Sequence, residues 1–282
     1  MKINKAVITA ASPEHRTLPI QSLIDHDGVE RSVIEILLNE VQSAGIEDVC
    51  VIVHPGDAEA YQQAASGTSL KLHFIEQTER RGYGHALSLA ADFTAGESFL
   101  HSVCDHLFIS RDPEKSCARQ LVESAKREGC AISAVQSTRE TEIQHYGAVA
   151  GDLQRGSSAH PLYAIREVIE KPTPTIAEQK LIVPGLRSGR YLTFFGMHVL
   201  TPTVMTLLKH QTDSGADNIQ LSPVLAELAK REQYGALLIQ GDRHHVSLKY
   251  GLFRAQLALA LAGQEREQIL SDLLELVAHS RR

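Results

Sequence analysis

The sequence predicts an α/β protein with a doubly wound, mostly parallel sheet of the Rossmann-like kind. Short apolar runs alternate with segments of helical periodicity along the first half of the chain. The runs lack a polar face, which is typical of parallel strands covered by helices on both sides. The 282 residues include 43% hydrophobic side chains, enough to fill a substantial core. We therefore expect a series of βαβ units with right-handed connections.

The first βαβ unit is predicted near the start of the chain. Residues 6–10 form a short apolar run, and residues 33–44 carry apolar side chains at helical spacing. Gly45 follows and suits a left-handed helix end. Residues 49–53 then form a second apolar run. This order predicts a strand, a helix and a second strand.

The alternation continues and then loosens after residue 146. Further strands are predicted at residues 70–75, 99–104 and 131–136, and further helices at residues 84–93 and 113–128. Strand-like pieces then follow at residues 146–150, 164–169 and 191–199. They predict an added antiparallel or mixed portion of the sheet around a ligand site. Helices resume at residues 202–208, at residues 223–231 behind Ser222 as N-cap, and at residues 251–262.

We expect one α/β domain over residues 1–263 and a C-terminal helix within residues 264–282. One face of this helix carries Ile269, Leu270, Leu273, Leu274 and Val277. That face packs either on its own domain or on a partner subunit, which would make the protein a homodimer. The stretch 151–161, with Gly156-Ser157-Ser158 at its centre, is interpreted as a surface loop.

The composition argues against several classes of partner. A formal charge of −6 lacks the basic excess that nucleic-acid binding needs, whereas a small anionic ligand needs only local positive charge. No stretch approaches 18 uninterrupted apolar residues and no signal-like region is recognisable, so we expect no membrane partner and no secretion. The four cysteines form no Cys-x-x-Cys pair, which indicates reduced thiols and a cytoplasmic location.

Two polar stretches follow predicted strands in the first half. Residues 77–86 read Gln-Thr-Glu-Arg-Arg-Gly-Tyr-Gly-His-Ala. Gln77 offers donors and an acceptor to a pyrimidine, and Gly82 permits close backbone approach; the alternative is a plain strand-to-helix turn that needs glycine. Asp105 ends another predicted strand, at the edge where open α/β sheets bind ligands. An ordinary turn residue or helix cap is the alternative there.

Two more stretches lie in the predicted mixed portion. Gly147 follows Tyr146, and Glu170-Lys171 precedes a proline. A solvated strand end would also explain the charged pair. The last stretch begins at Gly196 and extends to residues 218–222, which read Asn-Ile-Gln-Leu-Ser. Its apolar members serve packing whatever the function.

Together, these four stretches resemble the signature segments of bacterial UTP-glucose-1-phosphate uridylyltransferases, members of the sugar-1-phosphate nucleotidyltransferase superfamily. The resemblance implies a nucleotidyltransferase-type fold whose added sheet portion binds a sugar. It implies synthesis of a nucleotide sugar from UTP and a sugar 1-phosphate, with glucose 1-phosphate as the first choice and pyrophosphate as the second product. It also implies that the chain binds a uridine nucleotide and a sugar phosphate, with Mg²⁺, or alternatively Mn²⁺, as cofactor.

The resemblance also assigns roles to individual residues. The implied nucleotide contacts are Ala10, Ala11, Gln77, Gly82 and Asp105, and the implied sugar contacts are Gly147, Glu170, Lys171 and Gly196. The implied catalytic residues are Arg16, Asp105 and Lys171. Asp105 is also the implied metal ligand, and Lys171 is a positive charge for the phosphates.

The phosphate-binding loop departs from the family pattern. The family's loop is rich in glycine because backbone N–H groups must cradle the triphosphate. Here residues 10–19 read Ala-Ala-Ser-Pro-Glu-His-Arg-Thr-Leu-Pro. Pro13 has no N–H to donate, and Glu14 is expected to repel phosphates. Arg16 is retained, but residues 20–25 lack the lysine that the family pattern has.

The second metal carboxylate of the family is also missing, since Leu248 stands at its position and cannot bind Mg²⁺. His244 and His245 lie just before it. With Asp105 and His106 they suggest an alternative, nitrogen-rich site suited to Mn²⁺ or Zn²⁺. Adjacent strand residues point to opposite faces, however, which favours ordinary surface or loop histidines.

Three functions stay open at this stage. The first is an enzyme that makes a nucleotide sugar. The second is a binding protein that keeps the uracil and sugar contacts but has lost turnover, and acts as a sensor or a regulatory partner. The third is a doubly wound domain with an unrelated ligand. The motifs fit UTP and dTTP alike.

Overall fold

The computed structural model describes residues 1–155 and 161–279. Its strands are β1 (Lys5–Ala10), β2 (Ser22–Ile24), β3 (Glu30–Ser32), β4 (Asp48–Val53), β5 (Lys71–Glu76), β6 (Phe99–Val103), β7 (His106–Ser110), β8 (Ala131–Arg139), β9 (Ala148–Arg155), β10 (Leu162–Ile169), β11 (Arg190–Leu200), β12 (Tyr234–Leu238) and β13 (Gly241–His245). Its α-helices are α1 (Val33–Ser43), α2 (Ala58–Ala64), α3 (Tyr83–Ser88), α4 (Ala91–Thr94), α5 (Cys117–Glu128), α6 (Pro174–Lys180), α7 (Pro202–Asp213), α8 (Leu221–Arg231), α9 (Gly251–Ala262) and α10 (Arg266–His279). A 3₁₀ helix spans Glu140–His145.

A nine-stranded sheet forms the centre of the fold, in the order β5-β4-β1-β6-β11-β8-β12-β10-β9. The four strands from β5 to β6 are parallel. β11 is antiparallel to both β6 and β8, and β10 is antiparallel to both β12 and β9. Two small sheets, β2–β3 and β7–β13, lie outside it. The prediction of a mostly parallel α/β sheet with an added mixed portion is confirmed.

Helices cover both faces of this sheet, as the apolar strands require. Val7 and Ile8 are neighbours in β1, yet they belong to different apolar clusters because side chains alternate across a strand. The Ile8 cluster includes residues of α1, α5 and α9, and the Val7 cluster includes residues of α3, α7 and α8. Both residues are fully buried. A two-sided core therefore fixes the parallel strands whose ends form the site.

The helix predicted at residues 202–208 continues to Asp213 as α7, and three other helix predictions also differ in detail from the structure. The helix predicted at residues 84–93 is divided into α3 and α4, because Leu89 and Ala90 donate to carbonyls three residues back and interrupt the ladder. α5 begins only at Cys117, since the Ser116 side chain caps it. Ser222 was wrongly predicted as the N-cap of α8. Gln220 holds that position, and Ser222 lies inside the helix, where its hydroxyl donates to a carboxylate across the site.

The C-terminal helix α10 packs against α9. Of its apolar face, Ile269 and Leu273 are half-buried, whereas Leu274 and Val277 are exposed. Contact of the exposed part with a second copy stays a prediction. The centre of the predicted loop, Gly156-Ser157-Ser158, lies outside the described residues. Within the described ranges, no helix has the length and apolar character that crossing a membrane requires.

Candidate active site

A cleft of about 380 Å³ lies beyond the carboxyl ends of β1 and β6, two neighbouring parallel strands. β1 pairs on its other side with β4, so this edge is the switch point at which open α/β sheets bind ligands. The walls of the cleft include four residues of the predicted site: Ala11, Gln77, Gly82 and Asp105. The first two polar stretches of the sequence therefore meet in one cleft.

The glycine turn after β5 is joined by its backbone to the segment that precedes α8. Gly82 has a φ of +93°, and a Cβ there would lie 2.5 Å from Asn218 Oδ1 and 2.6 Å from the Ile219 carbonyl oxygen. The Ile219 N–H donates to the Arg81 carbonyl at 2.7 Å, and the Gly84 N–H donates to the Ile219 carbonyl at 2.7 Å. Glycine at position 82 is thus required by both conformation and space.

Gln77 is held with its amide in one orientation. Its Nε2 lies 3.1 Å from the Gly82 carbonyl, which can only accept, so the NH₂ group must point there. The same nitrogen lies 3.1 Å from Nδ1 of the buried His85. For the carbonyl oxygen Oε1, residues 1–155 and 161–279 provide no hydrogen-bond partner. A ligand in the cleft would therefore meet an acceptor.

Tyr83 anchors the turn in the protein core. His101 Nδ1 lies 2.9 Å from the Val7 carbonyl, so Nδ1 carries the proton and Nε2 accepts from the Tyr83 hydroxyl. Burial lowers the pKa of His101 to about 4, which keeps its imidazole neutral near pH 7. The position of the turn is therefore set by the core.

Asp105 lies between two imidazoles. His106 and His245 are paired opposite each other in the β7–β13 ladder, and their rings stack with centroids 4.3 Å apart. Asp105 Oδ1 lies 2.7 Å from His106 Nδ1, and Oδ2 lies 3.1 Å from His245 Nε2. Burial alone would raise the pKa of Asp105, but the two imidazoles outweigh it and hold this pKa well below its usual value. His244 and Leu248 are not members of this cluster.

The carboxylate and the ammonium group of the Glu170-Lys171 pair lie 3.9 Å apart just beyond β10. The Ser222 hydroxyl donates to Glu170 Oε2 at 2.5 Å and so fixes its orientation. Lys171 has a φ of +45°, a left-handed conformation that costs a non-glycine residue about 1–2 kcal/mol. Its N–H donates to the Tyr146 carbonyl at 3.2 Å, and its side chain is 61% exposed. Such strain clusters at functional sites.

Gly147 and Gly196 permit close approach around these groups. A Cβ at Gly147 would lie 2.7 Å from the Phe194 ring and 3.0 Å from Glu170 Oε2. Gly196 has a φ of +100°, and a Cβ there would lie 3.5 Å from His106 Cγ. Both glycines therefore bring the backbone of the mixed sheet portion close to the polar groups of the site.

The two ends of the predicted site belong to one neighbourhood. The segment 218–222 contacts Gly82 at its start and Glu170 at its end. The backbone carbonyl of Tyr146 accepts a hydrogen bond from the Lys171 N–H, and the centroid of the Tyr146 ring lies 6.1 Å from that of the His106 ring. All four stretches quoted from the sequence are thus brought together.

In the loop after β1, the structure agrees with some of the expectations from the sequence and differs from others. Ala10 is buried at the end of β1, and Ala11 lines the cleft together with Ser12 and Pro13. The Glu14 side chain is 85% exposed and points to solvent, so the predicted repulsion of phosphates is weakened by water.

Arg16 is not among the residues that line the cleft. Its guanidinium is bound to Asp57 Oδ1 at 2.5 Å and lies 3.3 Å from His54 Nδ1. Arg80 lines the cleft instead, and its guanidinium lies 3.5 Å from the other nitrogen of His54. Sequence reasoning missed Arg80, although it stands two residues before Gly82 in the quoted stretch. It also missed Tyr83, which the two flanking glycines mark.

Replacing Gly82 tests the contact with Asn218 and Ile219. We expect Gly82→Ala to lower the free energy of unfolding by about 1–3 kcal/mol more than Gly56→Ala, because the added Cβ meets backbone and side-chain oxygens. Gly56 is the matched control, since its φ of +84° imposes the same strain but open space surrounds its Cβ position. Urea unfolding measures both variants. An equal loss for the two would show that the contact is unimportant.

The chain is similar to known proteins over nearly its whole length. The nucleotidyl transferase family profile matches residues 22–244. A UTP-glucose-1-phosphate uridylyltransferase of Streptococcus pyogenes is 26% identical over 298 residues, which cover 96% of this chain and 92% of the relative. A second, from Bacillus subtilis, is 27% identical over 303 residues, covering 98% and 96%.

Solved structures share the fold. A UDP-glucose pyrophosphorylase complexed with UDP-glucose has a TM-score of 0.72 at 22% identity, covering 91% of this chain and 98% of that one. A UTP-bound UGPase from Acinetobacter baumannii has a TM-score of 0.76 at 20% identity, covering 98% and 100%. The resemblance seen in the sequence is confirmed, and the chain belongs to the nucleotidyl transferase family.

Proposed function

We propose that the chain joins UTP and glucose 1-phosphate into UDP-glucose and releases pyrophosphate. The observation that carries this proposal is the segment 218–222, which contacts the glycine turn beside Gln77 at one end and Glu170 at the other. A pyrimidine acceptor and a sugar acceptor are thereby held in a fixed relation. The names of the relatives from S. pyogenes and B. subtilis support the same substrates.

The nucleotide end is assigned to Gln77 and the glycine turn. Gln77 Oε1 is suited to accept the N3–H of uracil, because its NH₂ group is already bound to the Gly82 carbonyl. The missing Cβ at Gly82 lets the turn pack against Asn218 and Ile219, and this packing holds the backbone of the turn in the wall of the cleft, where a flat base would contact it. Ala11, which lines the cleft next to the buried Ala10, is the proposed backbone contact for the phosphates. Thymine also has an N3–H, so this contact accepts dTTP as well.

The sugar end is assigned to Glu170 and Lys171. Glu170 accepts hydrogen bonds from sugar hydroxyls, and Ser222 keeps the carboxylate in place. Lys171 supplies an exposed ammonium group for a phosphate. Gly147 and Gly196 allow the backbone to pack closely against Glu170 and His106, which holds these groups in place. The site thus suits a phosphorylated hexose next to a uridine nucleotide.

In the proposed reaction, a phosphate oxygen of glucose 1-phosphate attacks the α-phosphorus of UTP in line. A new P–O bond forms, the bond to the β-phosphate oxygen breaks, and pyrophosphate leaves. Such a transfer needs positioning and charge neutralisation more than covalent help. Lys171, Arg16 and Arg80 are the proposed cations, and Arg16 must share its charge with Asp57. When bound at Asp105, a divalent cation such as Mg²⁺ or Mn²⁺ neutralises charge on the α-phosphate.

A binding protein without turnover is the second candidate. The loop after β1 favours this candidate, because it contains no glycine that could form a phosphate cradle and because Pro13 lacks an N–H. Such a protein would hold UDP-glucose and report it to a partner. For either function we propose a cytoplasmic location, because all four cysteines are free and buried.

The direct test follows pyrophosphate release from UTP and glucose 1-phosphate with Mg²⁺ or Mn²⁺. We expect release together with a product of the mass of UDP-glucose, because the segment 218–222 connects the base contacts at the glycine turn to the sugar contact Glu170. Tight binding of UDP-glucose without any pyrophosphate release would overturn the enzyme and support the binding protein.

Gln77→Ala tests the uracil contact. We expect the Kd for UTP to rise about tenfold, equivalent to about 1.4 kcal/mol, because the acceptor for N3–H is lost. Gln62→Ala is the matched control, since Gln62 is exposed on α2, away from the cleft. Isothermal titration calorimetry measures both. Unchanged UTP affinity in Gln77→Ala would favour an unrelated ligand.

Lys171→Gly separates function from strain. Glycine relieves a left-handed strain of about 1–2 kcal/mol but adds about 0.5–1 kcal/mol of backbone entropy loss on folding, so stability should change by less than about 1 kcal/mol. We expect kcat/KM to fall about 100-fold because the cation is lost. Lys171→Ala should lose the same activity but be less stable than Lys171→Gly. Full activity in both variants would remove Lys171 from the site.

A further inference from the structure

We propose that Asp105, His106 and His245 form a site for a divalent transition metal, which binds Zn²⁺ more tightly than Mn²⁺ and Mn²⁺ more tightly than Mg²⁺. This inference names the class of cation that the proposed reaction uses. Its role in the reaction rests on the proposed function. It differs from the all-oxygen site that the family resemblance implies for Mg²⁺.

The convergence of the three side chains is built into the fold. His106 opens β7 and His245 ends β13, and the ladder sets them directly opposite each other on the same side of a two-stranded sheet. The Val246 N–H donates to the Asp105 carbonyl at 2.9 Å, which ties the end of β13 to the carboxylate residue. The cluster therefore depends on strand register and on a backbone bond, and not on flexible surface side chains.

The separations suit a shared cation. One ligand atom from each of the three residues lies within 4.8 Å of the others. Asp105 oxygens lie 2.7 Å from His106 Nδ1 and 3.1 Å from His245 Nε2. Two donors bound at about 2.1 Å to one metal ion are separated by about 3.0–3.4 Å in octahedral or tetrahedral geometry. Small side-chain movements would bring all three donors onto one ion.

The ring nitrogens that face the carboxylate are His106 Nδ1 and His245 Nε2, and each binds a cation only in its unprotonated form. Within the described ranges, the opposite nitrogens, His106 Nε2 and His245 Nδ1, are buried without a hydrogen-bond partner, so no second hydrogen bond locks either ring in one tautomer. The structural His101, by contrast, has partners at both nitrogens, which fix its tautomer.

The charge of Asp105 also calls for a cation. Its ion-pair partners in the described part of the chain are the two histidines, and neither a lysine nor an arginine is among them. Arg243 lies on the same strand as His245, but it donates to the Phe194 carbonyl and packs over the Tyr146 ring, 3.4 Å from its centroid. A bound metal ion would supply the missing positive charge.

The ligand types decide the preference. Imidazole nitrogen favours Zn²⁺ and other late transition metals, and affinities rise from Mn²⁺ towards Cu²⁺ in the Irving–Williams order. Mg²⁺ prefers six oxygen ligands in octahedral geometry. Leu248 adds no oxygen donor. The Ser247 hydroxyl oxygen lies 2.7 Å from His245 Nε2 and is a further nearby atom that could ligate the cation.

The test uses Co²⁺ as a visible probe on the full chain after removal of bound metal by chelator. We expect about one Co²⁺ to bind per chain and to give ligand-field absorption. Zn²⁺ should abolish this absorption at a concentration at least about 100-fold lower than the concentration of Mg²⁺ that does so. Loss of a residue that only hydrogen-bonds to a metal ligand typically lowers metal affinity by about 10–100-fold. Loss of the ligand itself in His245→Gln should therefore lower the affinity for Co²⁺ by at least this factor. His244→Gln, the neighbouring residue outside the cluster, should bind Co²⁺ like the parent protein.

His106 is buried, so His106→Gln can misfold, and its Co²⁺ affinity is interpreted only if its circular dichroism spectrum is unchanged. His245 is more accessible, so the His245→Gln variant decides the test. Absence of Co²⁺ binding, equal displacement by Mg²⁺ and Zn²⁺, or full Co²⁺ affinity in His245→Gln would overturn the proposal. UTP turnover is scored separately. Turnover of UTP with Mg²⁺ in a protein that does not bind Co²⁺ would contradict only the proposed metal site. Binding of Co²⁺ by a protein that does not bind UTP would contradict only the proposed function.

Discussion

The packing of the segment 218–222 on the glycine turn is the contact on which the site depends. Two backbone hydrogen bonds of 2.7 Å join the turn to Ile219, and they form only because position 82 has no Cβ. Arg81 strengthens the same junction, since its guanidinium donates to the carbonyls of Thr212 and Ala216 at the end of α7. Contacts between parts of the chain more than a hundred residues apart therefore hold the glycine turn and the segment 218–222 together.

The parallel half of the fold was predictable because its signals are local. Apolar runs and helical periodicity gave β1, α1 and β4 within one residue at each end. β12 was not predicted, although it pairs between β8 and β10 at the centre of the mixed portion. Its Tyr-Gly-Ala-Leu-Leu sequence is short, and its pairing partners are about a hundred and about seventy residues away. Long-range register of this kind leaves no local pattern.

The candidate site divides in the same way. Gln77, Gly82 and Asp105 were found because they stand in stretches that follow predicted strands and resemble the signature segments of the family. Ser222 was misassigned because serine before a helix normally caps it, and only the tertiary contact with Glu170 reveals its place inside α8. The partnership of His106 with His245 depends on the register of β7 and β13, which the sequence does not display.

Histidine serves two purposes in this protein, and the surroundings separate them. In the core, His101 has both nitrogens paired, and burial lowers its pKa to about 4. The stacked pair beside Asp105 is also enclosed, but in each ring the nitrogen that faces away from Asp105 has no hydrogen-bond partner among residues 1–155 and 161–279. A carboxylate flanked by such rings attracts cations that accept nitrogen ligands. In the proposed site, the positive charge would come from the bound cation itself, and the register of β7 and β13 would supply the two nitrogens that hold this cation beside Asp105.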